Sequence, residues 1–190
     1  MKVVLASASP RRKILLEQLQ YVVETKPIIG IDETPPLHLE VCQQVEMICQ
    51  RKAQGYTILG DEIVIVADTM IEHPHDSTKS IGKPKGRSDA KEILSLLSGQ
   101  SHTVWTTTGV LTQGRWHIFT NQARVHISHL NEEEMLYLLD SLSWEGKAGA
   151  YDLHGEMNKY ASLEQGEETT VLGLASDAIR FLQSIDEGVN

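Results

Sequence analysis

What this chain lacks narrows it before anything it contains. Cys42 and Cys49 are its only cysteines, and seven residues apart on a helix their Cα atoms would stand about 10 Å from each other, beyond disulfide reach. The two thiols are expected to project from nearly one face and to pack as small hydrophobes, since such a pair makes a poor metal set. No apolar stretch approaches the roughly 18 residues of a membrane-crossing helix, and no long apolar leader precedes the first charged segment. A cytoplasmic protein without a membrane partner is expected. Positive charge is also short, with 17 Lys and Arg against 26 Asp and Glu and a formal net charge of −9. Proteins that grip duplex nucleic acid present a basic face, so an extended nucleic acid is excluded as a partner and any phosphate chemistry must be local. Internal repeats and low-complexity tracts are missing too, and Gly82-Lys83-Pro84 lacks the other glycines of a Walker A loop.

What is present is ordinary globular material: 41% hydrophobic and 23% charged residues over 190 positions, enough for a full core. A single domain over 1–190 is expected, with a second lobe at about 101–165. The N-terminal strand Val3-Val4-Leu5 runs into Ala6-Ser7-Ala8-Ser9-Pro10-Arg11-Arg12-Lys13, and an apolar helical run follows at once. Proline suits a first helical position, and the orphan N–H groups of a helix start attract anions. Neighbouring arginines on a helix diverge by roughly 100°, so Arg11 and Arg12 need not serve one oxygen; a polyphosphate offers several.

Tyr21-Val22-Val23 completes an opening βαβ unit, and Thr34-Pro35-Pro36 reads as loop. Val41, Val45 and Ile48 repeat at helical spacing over about 39–53, with Glu40, Gln44 and Arg51 on the wet side and Gly55 at the end. Ile63-Val64-Ile65-Val66-Ala67 shows no polar alternation, as expected of a strand buried on both faces that delivers Asp68-Thr69 at its carboxyl end. The polar stretch 72–79, with His73-Pro74-His75-Asp76, reads as a surface loop. Ser88 is expected to cap the next helix and Ser98-Gly99 to end it. Segments 103–111 and 116–128 should pair across a short turn, Asn131 should cap an acidic first turn, and Ser176 should start a terminal helix.

Taken one at a time, the polar candidates stay open. Asp68 is an active-site carboxylate or a turn aspartate, and Thr69 contacts a ligand or its own backbone. Lys83, between glycine and proline, reaches a phosphate or solvent. Lys52 on the amphipathic helix and Glu33 in an acidic loop are ordinary surface charges on their own. His154-Gly155 reads a base edge or is a structural histidine.

Taken together they are more specific. Ser7-Ala8-Ser9-Pro10-Arg11-Arg12, Ala67-Asp68-Thr69, Gly82-Lys83-Pro84, Leu97-Ser98-Gly99-Gln100-Ser101-His102 and Lys147-Ala148-Gly149-Ala150-Tyr151 stand in an order that resembles the Maf family of nucleoside triphosphate pyrophosphatases, over about 5–182. The resemblance implies an α/β fold of elongated, ITPase-like form, whose central mixed sheet and two lobes flank a nucleotide cleft. It implies hydrolysis between the α and β phosphates to nucleoside monophosphate and pyrophosphate, a divalent metal such as Mg²⁺ or Mn²⁺, and a homodimer. By the same resemblance Asp68 is the catalytic carboxylate and, with Glu33, a metal-site residue, while Ser7, Arg11, Arg12, Lys52 and Lys83 surround the polyphosphate.

Thr69 and Arg11 resemble the branch of that family acting on dTTP and UTP. His154 stands where that branch usually has glutamine, so it takes the base-reading position with a different hydrogen-bond pattern. Thr170 and Ala175 replace an asparagine and a proline of the family's Asn-Val-x-Gly-Leu-Pro ending. These departures support a second reading, a nucleotide-binding regulator of septum formation with little turnover. Asp68, Glu33, Lys52 and Lys83 favour the enzyme, because a sensor needs fewer groups that activate water.

Overall fold

Residues 1–188 are described by the structure, a computed structural model. In chain order the elements are β1 (Lys2–Leu5), α1 (Pro10–Gln18), β2 (Val22–Thr25), α2 (Val41–Gly55), β3 (Val64–His73), β4 (Asp76–Ile81), α3 (Arg87–Leu97), β5 (Ser101–Thr112), β6 (Arg115–Ile127), α4 (Glu132–Asp140), β7 (Ala161–Gln165), α5 (Glu168–Leu172) and α6 (Ser176–Gly188). Two 3₁₀ turns, Ala148–Ala150 and Glu156–Lys159, lie between α4 and β7.

Side chains alternate across a strand, and this period divides β1 and β3 between two helix layers. Val3, Leu5, Ile65 and Ala67 pack with Leu15 and Leu16 of α1 and with Ala178 and Leu182 of α6. Val4, Val64 and Val66 pack on the other face, against Cys49 and Ala53 of α2. Both faces are therefore covered, which is why the apolar run at the start of β3 shows no polar alternation. Cys49 is buried there, and burial pushes its thiol up to about 12; Cys42 is only half-buried.

One seven-stranded mixed sheet runs in the order β2-β1-β3-β5-β6-β7, with β4 beside β3. β1 is parallel to both β2 and β3, and the remaining pairs are antiparallel. The β5–β6 hairpin turns through Gln113 and Gly114, both at positive φ, as a two-residue turn between twisted strands requires. At the far end of that hairpin α3 and α4 bury Leu94, Leu97, Leu138 and Leu139 against Val125 and Ile127. Asn131 caps α4 as expected, in a reciprocal box with Glu134.

Four expectations need correction. The polar stretch 72–79 is not a loop: it holds the turn of the β3–β4 hairpin and most of β4, an edge strand whose residues 77–80 are exposed. A solvated edge strand is expected to be polar, so composition alone resembled a loop. Asp68 lies inside β3 rather than at its end, because the strand continues to His73. Ser88 does not cap α3; Gly86 holds that position, and the Asp89 carboxylate accepts from the Lys85 N–H instead. Gln44 is not on the wet side of α2. It is fully buried, and its amide donates to the Leu39 and Thr78 carbonyls at 2.7 and 2.9 Å, joining α2 to β4. Replacing Gln44 with alanine removes both bonds and is expected to cost about 1–3 kcal/mol in urea unfolding.

Candidate active site

The cleft forms where β1 leaves β3. β1 pairs with β3 only at Val4↔Val64 and Leu5↔Ile65, and the Ala6 N–H makes a last bond to the Ile65 carbonyl at 2.9 Å. The chain then turns through Ser7 and Ser9 into α1, which starts at Pro10. β4 takes up the same edge of β3 only from Ile71↔Ile81 onward, opposite the Ile71↔Val104 pairing with β5. Between these junctions β3 keeps β5 on one side and has no strand on the other. β2 and β3 flank β1, so this gap also lies at a topological switch point, beyond the carboxyl end of a parallel strand.

Asp68 and Thr69 occupy the gap and point to opposite faces, since they are consecutive in a strand. Asp68 shares the face of Val64 and Val66, which is covered by α2. There Lys52 Nζ donates to Asp68 Oδ1 at 2.7 Å and lies 3.2 Å from Glu33 Oε2, so one ammonium bridges two carboxylates. Burial holds the Asp68 carboxyl above its ordinary range, against the opposing pull of Lys52 and Arg12. Thr69 shares the face of Ile65 and Ala67, toward α1, and accepts from Arg12 Nη2 at 3.1 Å. Its hydroxyl lies 2.9 Å from that of Thr106, which donates to the Thr170 carbonyl at 2.7 Å. With that proton committed, the Thr69 proton goes to Thr106.

Arg12 ties three segments together. Besides Thr69 it donates to Ser7 Oγ at 3.1 Å and, through Nε, to the Gly173 carbonyl at 2.8 Å. Gly173 has φ +108°, and a Cβ there would sit 3.0 Å from Arg12 Nε. Ser7 also accepts the Ser9 N–H, whereas the Ser9 side chain caps nothing. The adjacent arginines therefore differ: Arg12 is anchored in the protein, and Arg11 borders two cavities.

The larger cavity, about 690 Å³, is of the size that holds small-molecule ligands. Asp68, Thr69 and Met70 form its floor, with Ser7 to Arg12, Glu33 and Lys52 on one side and Ser80 to Lys83 with Gly146 to Ala148 on the other. The Gly149 N–H holds the Gly82 carbonyl at 3.0 Å, beside the exposed Lys83. Lys147 is a cation in this lining to which sequence reasoning gave no role, although it opens one of the five motifs. Its Nζ lies 2.7 Å from Asp152 Oδ2. The smaller hollow, about 20 Å³, opens between Arg11 and Thr69 and is otherwise walled mainly by Ile71, Val104, Tyr151, Leu153 and Val171. Behind it the Tyr151 hydroxyl meets His102 Nε2 at 2.8 Å, and burial brings the His102 pKa down to about 4, so the ring is neutral at pH 7.

Ser7, Arg11, Arg12, Glu33, Lys52, Asp68, Thr69 and Lys83 are thus brought to one cleft. His154 is not among the residues lining either cavity. It is exposed, its ring pairs with Glu168, and its N–H donates to Asp152 Oδ1 at 3.1 Å. Among the described residues no group of three or more His, Cys, Asp or Glu is placed to hold a metal. Glu33 and Asp68 are the two carboxylates of the cleft lining and both contact Lys52; carboxylate oxygens are the donor type that a hard divalent cation takes.

A model of Maf-like proteins matches residues 2–184. The chain belongs to the Maf-like protein family. A dTTP/UTP pyrophosphatase of Pelotomaculum thermopropionicum is 35% identical to it over 91% of the chain and 90% of that protein. Proteins of the same name from Bacteroides fragilis and Bacillus cytotoxicus are 38% and 31% identical, over 91% and 100% of the chain and 90% and 98% of their own lengths. In fold, this Maf-like protein is similar to a HAM1 protein from Coxiella burnetii, at TM-score 0.56 and 11% identity over 99% of each chain.

The half-buried Asp68 of this Maf-like protein gives its stability a pH dependence. Because the folded pKa is raised above the unfolded value, the contribution is present while Asp68 is protonated and is lost as pH rises through the raised pKa. In urea unfolding without metal or nucleotide, the Asp68→Asn variant is expected to gain stability relative to wild type as pH rises from below the ordinary Asp range to above it. A difference that stays constant across that range would contradict it.

Proposed function

We propose that this protein hydrolyses nucleoside triphosphates at the α–β anhydride, releasing nucleoside monophosphate and pyrophosphate, with dTTP and UTP as preferred substrates. The observation that carries the reading is the Glu33–Lys52–Asp68 cluster in a cleft lined by further cations, Arg11, Lys83 and Lys147. A polyphosphate needs several separate cationic contacts, and one water must be activated beside it. The relatives named dTTP/UTP pyrophosphatase agree with this reading.

In this reading Lys52 holds Asp68 Oδ1 and thereby orients the carboxylate, whose other oxygen accepts a proton from the attacking water. The water oxygen bonds to phosphorus as the bridging P–O bond breaks, and Arg11, Lys83 and the Ser7 hydroxyl stabilise the charge that gathers on pyrophosphate. Glu33 and Asp68 are the residues to hold a divalent cation, Mg²⁺ or Mn²⁺, which when bound neutralises phosphate charge. The hollow lined by Arg11, Thr69 and mainly apolar side chains is assigned to the base end, and it is too small for more than an edge of a ring or its substituent. A homodimer and a cytoplasmic location belong to the same proposal. Among the described residues no helix is long and apolar enough to cross a membrane.

A nucleotide panel with Mg²⁺ or Mn²⁺ tests the assignment, with pyrophosphate resolved from orthophosphate and monophosphate from diphosphate. Pyrophosphate is expected; orthophosphate, or tight binding without turnover, would overturn the reading. Asp68→Asn is expected to lower kcat by at least about 10²-fold. Lys83→Ala should raise KM by about tenfold, as loss of one contact to a charged oxygen implies. Arg11→Ala should change the ratio of kcat/KM for dTTP to that for UTP. His154→Gln should leave that ratio within about twofold, because His154 pairs with Glu168 away from the cleft lining.

A further inference from the structure

Glu33 presents a positioning problem. Its side chain is 60% exposed and sits on segment 26–40, which carries no helix or strand between β2 and α2. A carboxylate on such a segment samples many positions unless the backbone on both sides of it is held.

Arg51 supplies that hold. Its Nη1 donates to the carbonyl of Asp32 at 3.2 Å and to that of Thr34 at 2.8 Å, the residues immediately before and after Glu33. Nη1 carries two hydrogens, so both bonds can form at once. The same nitrogen lies 3.6 Å from Asp32 Oδ2, while Asp32 Oδ1 accepts the Thr34 N–H at 2.9 Å and closes a turn over Glu33. A third attachment stands on the same helix, where Ile31 fills the space over Gly55 that a Cβ would take. Arg51 and Lys52 are consecutive on α2, so one helix grips the segment by its backbone and the Glu33 side chain by its charge.

We propose that Arg51 is a positioning residue that clasps the backbone on both sides of Glu33 and so presents its carboxylate to Lys52, to Asp68 and to a divalent cation. Arg51 itself touches neither substrate nor metal. The inference rests on the role proposed above for Glu33. It differs from that role in predicting coupling between two residues, of which only one reaches the cleft lining.

The test uses the full chain as wild type, Arg51→Ala, Glu33→Gln and the double variant. Mn²⁺ alone is the probe, followed by water-proton relaxation, and amide hydrogen exchange is read over 31–35 without metal or nucleotide. Arg51→Ala is expected to speed exchange of the Thr34 amide by about tenfold and to weaken Mn²⁺ binding by about tenfold, the usual effect of removing a group that orients a ligand. The double variant should bind Mn²⁺ no more weakly than Glu33→Gln alone, because the clasp acts only through that carboxylate. Losses that multiply in the double variant, or an unchanged Thr34 exchange rate in Arg51→Ala, would overturn the proposal. If Glu33→Gln leaves Mn²⁺ binding and turnover intact, the role of Glu33 fails, while the exchange measurement still decides whether Arg51 holds the segment.

Discussion

The site depends on one backbone event: β1 gives up β3 after Ala6, and β4 does not reclaim that edge until Ile71. A strand in the middle of a sheet has both rows of backbone groups paired, and it is a poor place to leave one row open. Here a side chain of α2 comes to the vacated stretch: the Lys52 ammonium lies 3.5 Å from the Ala67 carbonyl, which faces the same edge as the Ile65 carbonyl that β1 still holds. The gap thus admits a ligand to the middle of the sheet, and the same helix that covers it supplies the cation that bridges Asp68 and Glu33.

Local electrostatics then depart from the charge of the whole chain. Overall the protein carries a formal −9, yet the cleft gathers Arg11, Arg12, Lys52, Lys83 and Lys147 around Asp68 and Glu33. A fixed cluster of cations focuses an anion even on an acidic protein, because field lines concentrate between low-dielectric walls. Burial raises the carboxyl of Asp68 while Lys52 and Arg12 draw it down, a balance that structural ion pairs at an exposed surface do not need. Arg12 contributes differently, by fastening the β1–α1 turn, β3 and the α5–α6 junction to one guanidinium.

Much of this was legible because it follows from local rules. The Pro10 helix start, the two-face burial of β3, the Asn131 cap and the β5–β6 pairing all obey short-range chemistry. Ser7, Arg11, Arg12, Glu33, Lys52, Asp68, Thr69 and Lys83, grouped across long sequence separations by five motifs in order, line one cleft, whereas His154 does not. The failures share a cause. Gln44 and Arg51 read as a wet helix face because polarity is all a helical pattern records, yet one amide is buried between two carbonyls and one guanidinium clasps a loop. β4 read as a loop because an exposed edge strand has a loop's composition.

The sequence by itself determined which residues are apolar at which period, where helices begin, and which charged groups accompany the motifs. Those properties reside in neighbours along the chain and survive without tertiary contacts. Only the tertiary structure decided that the edge of β3 opens beside Asp68, that Arg12 is anchored by Ser7, Thr69 and Gly173 while Arg11 borders both cavities, and that His154 turns to Glu168. Each of those outcomes depends on which segments, far apart in the chain, compete for the same edge, donor or carboxylate. That competition is settled by packing and hydrogen-bond supply across the whole sheet, and no local pattern carries it.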